Sequence, residues 1–347
     1  MSLEAWFLTI GGALGLSILG SRVATKLGVP VLLFFLAIGM LAGSDGPGGI
    51  WFDDAALAQN LGVVALVFIL FSGGMDLDWQ QSKPHFARAF SLATVGVFVS
   101  AGIVGLGAWL WLGFSVLEGL LLGASIASTD AAAVFSTLSR FQGALRKDLR
   151  SVLEMESGSN DPAAIFLTVA LIAMLKGTAP SFGGQILNFL WQMACGAAGG
   201  WLVGRIGVIL MRRLKLDYEG LYHGLSIAVM AAAFGGIALI GGNGFLAVYV
   251  AGVTFGNGEF RQRKGLRRFH DGLAWLMQIM LFIVLGLLVF PRELPAVVWT
   301  GIAFSAFLML VARPLGVWLA LSPFRVPLKD MTIISWCGLR GAVPIVL

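Results

Sequence analysis

Residues 153–165 read Leu-Glu-Met-Glu-Ser-Gly-Ser-Asn-Asp-Pro-Ala-Ala-Ile, and the chain continues as Phe-Leu-Thr-Val-Ala-Leu-Ile-Ala-Met-Leu to position 175. Glu154, Glu156, Asn160 and Asp161 thus stand at the head of a run far too apolar for the solvated face of a helix in water. Inside a bilayer each ionised group costs at least ~3 kcal/mol, so such groups mark an ion pathway or a buried pair. The stretch reads as a polar island in a membrane span.

The rest of the chain agrees. Its 347 residues are 58% hydrophobic and 12% charged, where soluble domains carry roughly 25% charged residues. A transmembrane helix needs about 20 mainly apolar residues, and twelve such spans are expected, near 4–23, 29–43, 58–74, 89–112, 116–139, 151–175, 185–211, 220–240, 243–256, 270–290, 296–321 and 330–347. Only short connections separate them, which leaves no soluble domain. The 47 glycines fit this reading, because small residues let membrane helices approach closely. The first apolar stretch has Glu4 before it and Arg22 and Lys26 after it, the reverse of a signal peptide. Cys195 and Cys337 both fall in apolar segments, so neither a disulfide framework nor a metal site is expected.

The net charge of +5 does not point to nucleic acid. Eighteen Lys and Arg residues, from Arg22 and Lys26 to Arg325 and Lys329, lie in loops after odd-numbered spans, against Lys176 and Arg292 in the others. Basic loops stay cytoplasmic, which predicts an amino terminus outside the cytoplasm and odd loops within it. The expected location is a cell membrane, crossed many times. Spans 2 and 9 are both short and carry Gly39-Met-Leu-Ala-Gly43 and Gly252-Val-Thr-Phe-Gly256. An offset of seven spans inverts the second copy, the plan of many secondary transporters. One transmembrane domain over 1–347 is expected, with repeat one near 4–175, a linker span near 185–211 and repeat two near 220–347. The second repeat is incomplete on this count: a thirteenth span is expected after Leu347.

In span 6, Ser157 lies one turn before Asp161 on the same face. Pro162 has no N–H, so the Gly158 carbonyl loses its helical donor and can face a ligand. Carboxylate, amide, hydroxyl and carbonyl oxygens together suit a hard monovalent cation, K⁺ or Na⁺. In span 5 the run Ser125-Ile-Ala-Ser-Thr-Asp130 resembles a helix N-cap. At membrane depth that predicts a broken helix whose ends line a cavity, with Asp130 facing the cation. Span 12 carries Gly338-Leu-Arg-Gly-Ala-Val-Pro344 and is expected to be broken too. Arg340 needs a carboxylate partner, and Glu156 is the candidate; Arg205 and Arg313 are expected to snorkel or pair. His85, His223 and His270 fall in loops or at span ends, where solvated side chains are expected.

These motifs, Glu156-Ser-Gly-Ser-Asn-Asp-Pro162, Ser128-Thr-Asp130 and Gly338-Leu-Arg-Gly-Ala-Val-Pro344, resemble those of the monovalent cation:proton antiporter-1 family, NhaP-type. Phe34-Phe-Leu-Ala-Ile-Gly-Met-Leu-Ala-Gly43 and Asp271-Gly-Leu-Ala-Trp-Leu276 are similar to its bacterial potassium/proton members linked to cell-volume regulation. The resemblance covers essentially the whole chain. It implies an all-α inverted-repeat fold of thirteen spans, twelve present here, with two discontinuous helices, a homodimer and alternating access. It implies Asp161 as the shared cation and proton ligand, with Asn160, Ser157, Thr129 and Asp130 nearby and Glu156 paired to Arg340. Many relatives carry an acid where this chain has Ser72. No cofactor and no metal beyond the transported cation is implied, and no enzymatic activity. A single shuttling carboxylate predicts electroneutral exchange. The rival readings are a cation channel on the same scaffold, for which no filter-like repeat is found, and an intramembrane hydrolase using Ser157 or Ser159, for which no His lies at membrane depth in this span map.

Overall fold

The computed structural model describes residues 3–27, 31–129, 134, 145–178 and 180–338. In a bilayer the backbone must satisfy its own polar groups, and the described residues are accordingly helical, apart from short connections and an isolated bridge from Gly43 to Ile50. The helices are α1 (Leu3–Leu27), α2 (Val31–Ala42), α3 (Ala55–Asp76), α4 (Trp79–Leu112), α5 (Val116–Ala127), α6 (Lys147–Leu175), α7 (Phe182–Arg213), α8 (Glu219–Leu239), α9 (Gly244–Gly256), α10 (Arg263–Leu288), α11 (Leu294–Phe324) and α12 (Leu328–Trp336). Every expected span overlaps one of them. Seven, α3, α4, α6, α7, α8, α10 and α11, are long and apolar enough to cross a membrane by length and composition.

Polar residues at the connections set the helix starts. The Asp54 carboxylate accepts from Leu57 N at 2.9 Å to open α3, and Asn243 Oδ1 accepts from Leu246 N at 3.0 Å to open α9. Gly113, at φ 72°, stops α4. Ser115 and Glu118 then form a reciprocal capping box that starts α5. Each such cap is worth ~1 kcal/mol.

Lipid tails are as apolar as Leu, so helix association here depends on close packing rather than on hydrophobic burial. Glycine supplies it. Between α3 and α9, a Cβ on Gly252 would lie 2.5 Å from the Phe71 carbonyl oxygen, and one on Gly74 would lie 2.5 Å from that of Tyr249. Between α2 and α10, Gly39 and Gly286 meet the backbone of Ile283 and Leu36 in the same way. Gly196, Gly200 and Gly204 of α7 form an i, i+4 stripe that receives Asn243, Ala247 and Ala251 of α9.

The contacts sort the helices into two groups. One gathers α2, α3, α7, α8, α9 and α10, with α1 against α2. The other gathers α4, α5, α6, α11 and α12. Helix α6 touches both, meeting α5, α4 and α12 on one side and α3 and α9 on the other. In the second group, α4 and α11 each contain a π turn, over Leu92–Gly96 and Leu308–Ala312. A π turn adds a residue and rotates the helix beyond it, and Arg313, next after the second, is turned inward and buried. By contrast the Leu294–Phe307 stretch of α11 has no buried residue and leaves Trp299 79% exposed, a surface suited to lipid.

Candidate cation-binding site

Helix α6 passes through the junction of the two groups with Glu156, Ser157, Asn160 and Asp161 all buried. Asn160 joins its two parts: its N–H donates to the Glu156 carbonyl at 2.9 Å, and its own carbonyl receives Ala163 N and Ala164 N at 3.1 and 3.2 Å. The backbone thus stays helical through Asn160 (φ −85°, ψ −26°). Pro162 follows as the second residue of the outgoing part and offers no N–H to Gly158.

Helix α5 ends at Ala127, well inside the span expected at 116–139. Ser128 is extended, at φ −72°, ψ 154°. That change of direction delivers the Thr129 side chain to α6. Asn160 Nδ2 donates to Thr129 Oγ1, and Thr129 Oγ1 lies 3.3 Å from Ser157 Oγ. One hydroxyl therefore bridges two positions three residues apart on α6. With its amide nitrogen engaged, Asn160 leaves Oδ1, a buried acceptor, with no partner among the described residues. Beside it, Asp161 is fully buried at 0% exposure. The structure thus brings together Thr129, Ser157, Asn160 and Asp161. Asp130, expected with them, lies outside the described residues.

Glu156 faces the other way, into an ion pair with Arg313 of α11. Arg313 Nη1 donates to Oε1 at 2.6 Å and Nη2 to Oε2 at 3.1 Å, and both residues are almost wholly buried. Nη2 also reaches the Ile334 carbonyl of α12 at 3.4 Å. Gly338 lies against the same guanidinium, where a Cβ would come within 2.5 Å of Nε. The partner expected for Glu156, Arg340, lies outside the described residues; the guanidinium found on it is that of Arg313. Two arginines in apolar sequence carry no signal to say which takes the carboxylate. Arg205, the other intramembrane arginine, has an exposed side chain on α7.

A cavity of about 450 Å³ lies between α3, α4, α6 and α10, lined among others by Gly73, Asp76, Ser151, Glu154 and Arg267. Ser151, Glu154, Gly158 and Asp161 fall at i, i+3, i+7 and i+10, one face of α6. The face of α6 that lines the cavity at Ser151 and Glu154 thus carries Asp161 two turns further on. Four of the cavity's charges are paired, Arg150 Nε to Glu154 Oε1 at 2.7 Å and Arg267 Nε to Asp76 Oδ1 at 2.5 Å, and Asp78 and Lys147 also line it. Across from the face bearing Gly158 stands Tyr249 of α9, whose ring would collide with any Cβ at that glycine.

One expectation fails. His270 is not solvated; it is fully buried, with Nε2 2.8 Å from Ser226 Oγ and its ring 4.9 Å from that of Phe71. Helix α10 begins at Arg263 rather than near 270, so His270 sits about two turns inside it, facing α8. Sequence reasoning quoted Asp271 only as the start of a family-like motif and gave it no role; it accepts a hydrogen bond from Ser72 Oγ at 3.0 Å.

Comparison with known proteins places the chain in a family. The chain is 43% identical to the K(+)/H(+) antiporter NhaP of Alkalimonas amylolytica over 98% of its length and 59% of the relative's. It is 42% identical to the K(+)/H(+) antiporter NhaP2 of Shewanella sp. (strain ANA-3) over 100% of its length and 60% of the relative's. The chain thus spans about three-fifths of these curated relatives, which are named as antiporters and not as enzymes. In three dimensions it resembles the sodium proton antiporter MjNhaP1 from Methanocaldococcus jannaschii, with a TM-score of 0.84 and 24% identity over 100% of this chain and 85% of that one. That likeness carries the fold. A family model described as sodium/hydrogen exchanger, transmembrane, matches residues 13–347, and the chain belongs to that family.

Proposed function

We propose that this chain is the membrane part of a secondary transporter that exchanges a monovalent cation, K⁺ before Na⁺, for H⁺. The observation that carries the reading is the Thr129 hydroxyl bridging Ser157 and Asn160, which leaves the Asn160 Oδ1 acceptor without a partner among the described residues, beside the buried Asp161. Amide, carboxylate and hydroxyl oxygens with no thiolate or imidazole among them suit a hard cation. The names of the relatives favour potassium.

Asp161 holds either the cation or the proton, with Asn160, Ser157, Thr129 and Asp130 completing the site. One carboxylate that carries one or the other gives one-for-one, electroneutral exchange. Glu156 is a strut rather than a proton carrier, because Arg313 occupies both of its oxygens; Arg340 remains a candidate second contact on it from span 12. Alternating access is motion of the α4–α5–α6–α11–α12 group against the α2–α3–α9–α10 group. Three further points support an inverted repeat: α3 packs on α9 as α10 packs on α2, the π turns recur in α4 and α11, and each half of the chain contributes to both groups. On that plan repeat one covers about 4–175, repeat two about 220–347, and these are twelve of thirteen spans. The amino terminus then lies outside the cytoplasm of a bacterial inner membrane, and the working unit is a homodimer.

The test is the chain reconstituted in proteoliposomes with an internal pH dye, challenged with K⁺, Na⁺, Li⁺ and Rb⁺ in turn. Antiport predicts cation-driven proton movement, fastest with K⁺ and unaffected by clamping the membrane potential at zero. A current that follows the potential with no opposed proton flux would establish the channel reading instead.

A further inference from the structure

We infer that Tyr249 is the gate between the cavity and Asp161: its ring shuts the cation site off from the cavity, and its unpartnered hydroxyl biases the ring to open. The inference rests on the antiport reading above and extends it to a residue which that reading leaves unused.

On the face of α6 that carries Ser151, Glu154, Gly158 and Asp161, the first two line the cavity and the last is fully buried. Gly158 lies between Glu154 and Asp161, about one turn from each. What covers it is Tyr249 of α9. A Cβ on Gly158 would meet the ring at Cε2 and Cζ, the latter at 2.5 Å, and its three nearest heavy atoms all belong to that ring. The backbone of Tyr249 is fixed beside the cavity as well. On α3 the cavity lining reaches Gly73, and the next residue, Gly74, receives the Tyr249 carbonyl so closely that a Cβ there would lie 2.5 Å from its oxygen. Tyr249 thus bridges α3 and α6 at the end of the cavity lining, only 5% exposed.

Two features make the residue a moving part rather than a strut. Its ring crosses from the group that holds α9 to the group that holds α6, the two bodies whose relative motion gives alternating access, and on α6 it meets a glycine with no side chain to interlock. Its hydroxyl, moreover, is buried with no partner among the described residues. Tyr222 of α8 shows how a tyrosine is pinned in this bundle: its hydroxyl donates to the Leu214 carbonyl at 2.9 Å and accepts from Leu216 N at 3.1 Å. Burying a hydroxyl without a hydrogen bond is costly. The cost falls on the closed arrangement alone, because a ring swung toward the cavity exposes its hydroxyl to water. Ring contact therefore holds the gate shut, and the hydroxyl opposes it.

The alternative is that Tyr249 merely fills space between α6 and α9. Access to the site from one face at a time separates the two. Asp161→Cys places a thiol at the site, Cys195→Ser and Cys337→Ser remove the native thiols, and this triple variant is the reference. An impermeant methanethiosulfonate reaches one face in spheroplasts and the other in inverted vesicles, which on the proposed orientation present the cavity. Adding Tyr249→Ala should speed modification from the cavity's face at least about tenfold and leave the other face within twofold of the reference. Tyr249→Phe keeps the ring but removes the buried hydroxyl, so it should slow modification from the cavity's face about fivefold or more; being nearly isosteric, it also guards against a fold defect in the alanine variant. Phe255→Ala, a comparable loss of packing where α9 meets Phe71 of α3, should leave both faces within twofold. If Tyr249→Ala stays within twofold of the reference at both faces, speeds both alike or is matched by Phe255→Ala, or if Tyr249→Phe is no slower than the reference, the inference is overturned. These rates require no transport, so a lack of K⁺-driven proton movement in the unmodified chain would instead overturn the antiport reading.

Discussion

Replacing Arg313 by Met removes the counter-ion of Glu156 while keeping a flexible side chain of similar length. The parent holds Glu156 with two charge-assisted hydrogen bonds, at 2.6 and 3.1 Å, on side chains exposed by only 1% and 4%. Truncating one member of such a pair leaves a buried charge uncompensated, at a cost of about 3–5 kcal/mol. The weaker bond to the Ile334 carbonyl is lost as well, so α12 loses a tie to α11. Unfolding in mixed micelles, followed by denaturant titration, should show Arg313→Met and Glu156→Ala each destabilised by about 3 kcal/mol or more. The double variant Glu156→Gln/Arg313→Met removes both charges and should recover most of that loss, because a neutral buried pair carries no desolvation penalty of this size. A single variant within about 1 kcal/mol of the parent, or a double variant no better than the worse single, would refute the reasoning.

Thr129→Val keeps the shape but leaves the buried Asn160 amide donor without an acceptor, a penalty of ~1–3 kcal/mol; half-saturating K⁺ should rise roughly five- to a hundredfold, while Thr129→Ser stays near the parent. Gly158→Ala should slow exchange by driving a methyl into the Tyr249 ring, which approaches the glycine from α9; an overpacking cost of ~1–3 kcal/mol is expected, and Tyr249→Ala in the same chain should restore the rate. Gly252→Val meets the Phe71 carbonyl at 2.5 Å, where backbone cannot give way, whereas Gly236 has nothing within 4 Å. Size-exclusion profiles should therefore show loss of folded protein for the first and little change for Gly236→Val.

Much of this architecture is legible in residue order because the bilayer allows few solutions. A run such as Phe166 to Leu175 can only be a buried or spanning helix, and each expected span overlaps a helix. The Gly39 and Gly252 motifs mark two of the crossings where backbones touch. The island at 156–162 points to the site because a buried amide and acid have no cheap structural use in lipid. Partnership across the bundle is not legible. Nothing near Arg313 in sequence names Glu156, 157 residues away, and a π turn that rotates Arg313 inward leaves no sequence signature. His270 is misplaced for a related reason: the basic start of α10, Arg263-Lys-Gly-Leu-Arg-Arg268, reads as a loop by charge yet forms the first turns of a helix, with Arg267 at the cavity. Asp271 and Ser72, 199 residues apart, become a pair only once α3 and α10 are packed.

The central claim is that Asp161 carries both the cation and the proton. Asp161→Asn preserves size and hydrogen-bonding capacity while removing the charge and the titratable proton. In proteoliposomes bearing an imposed K⁺ gradient, proton movement reported by an internal dye should fall to the level of protein-free vesicles, with the variant folded by size exclusion and unfolding as cooperatively as the parent. K⁺-driven proton movement at a near-normal rate through Asp161→Asn would contradict the account.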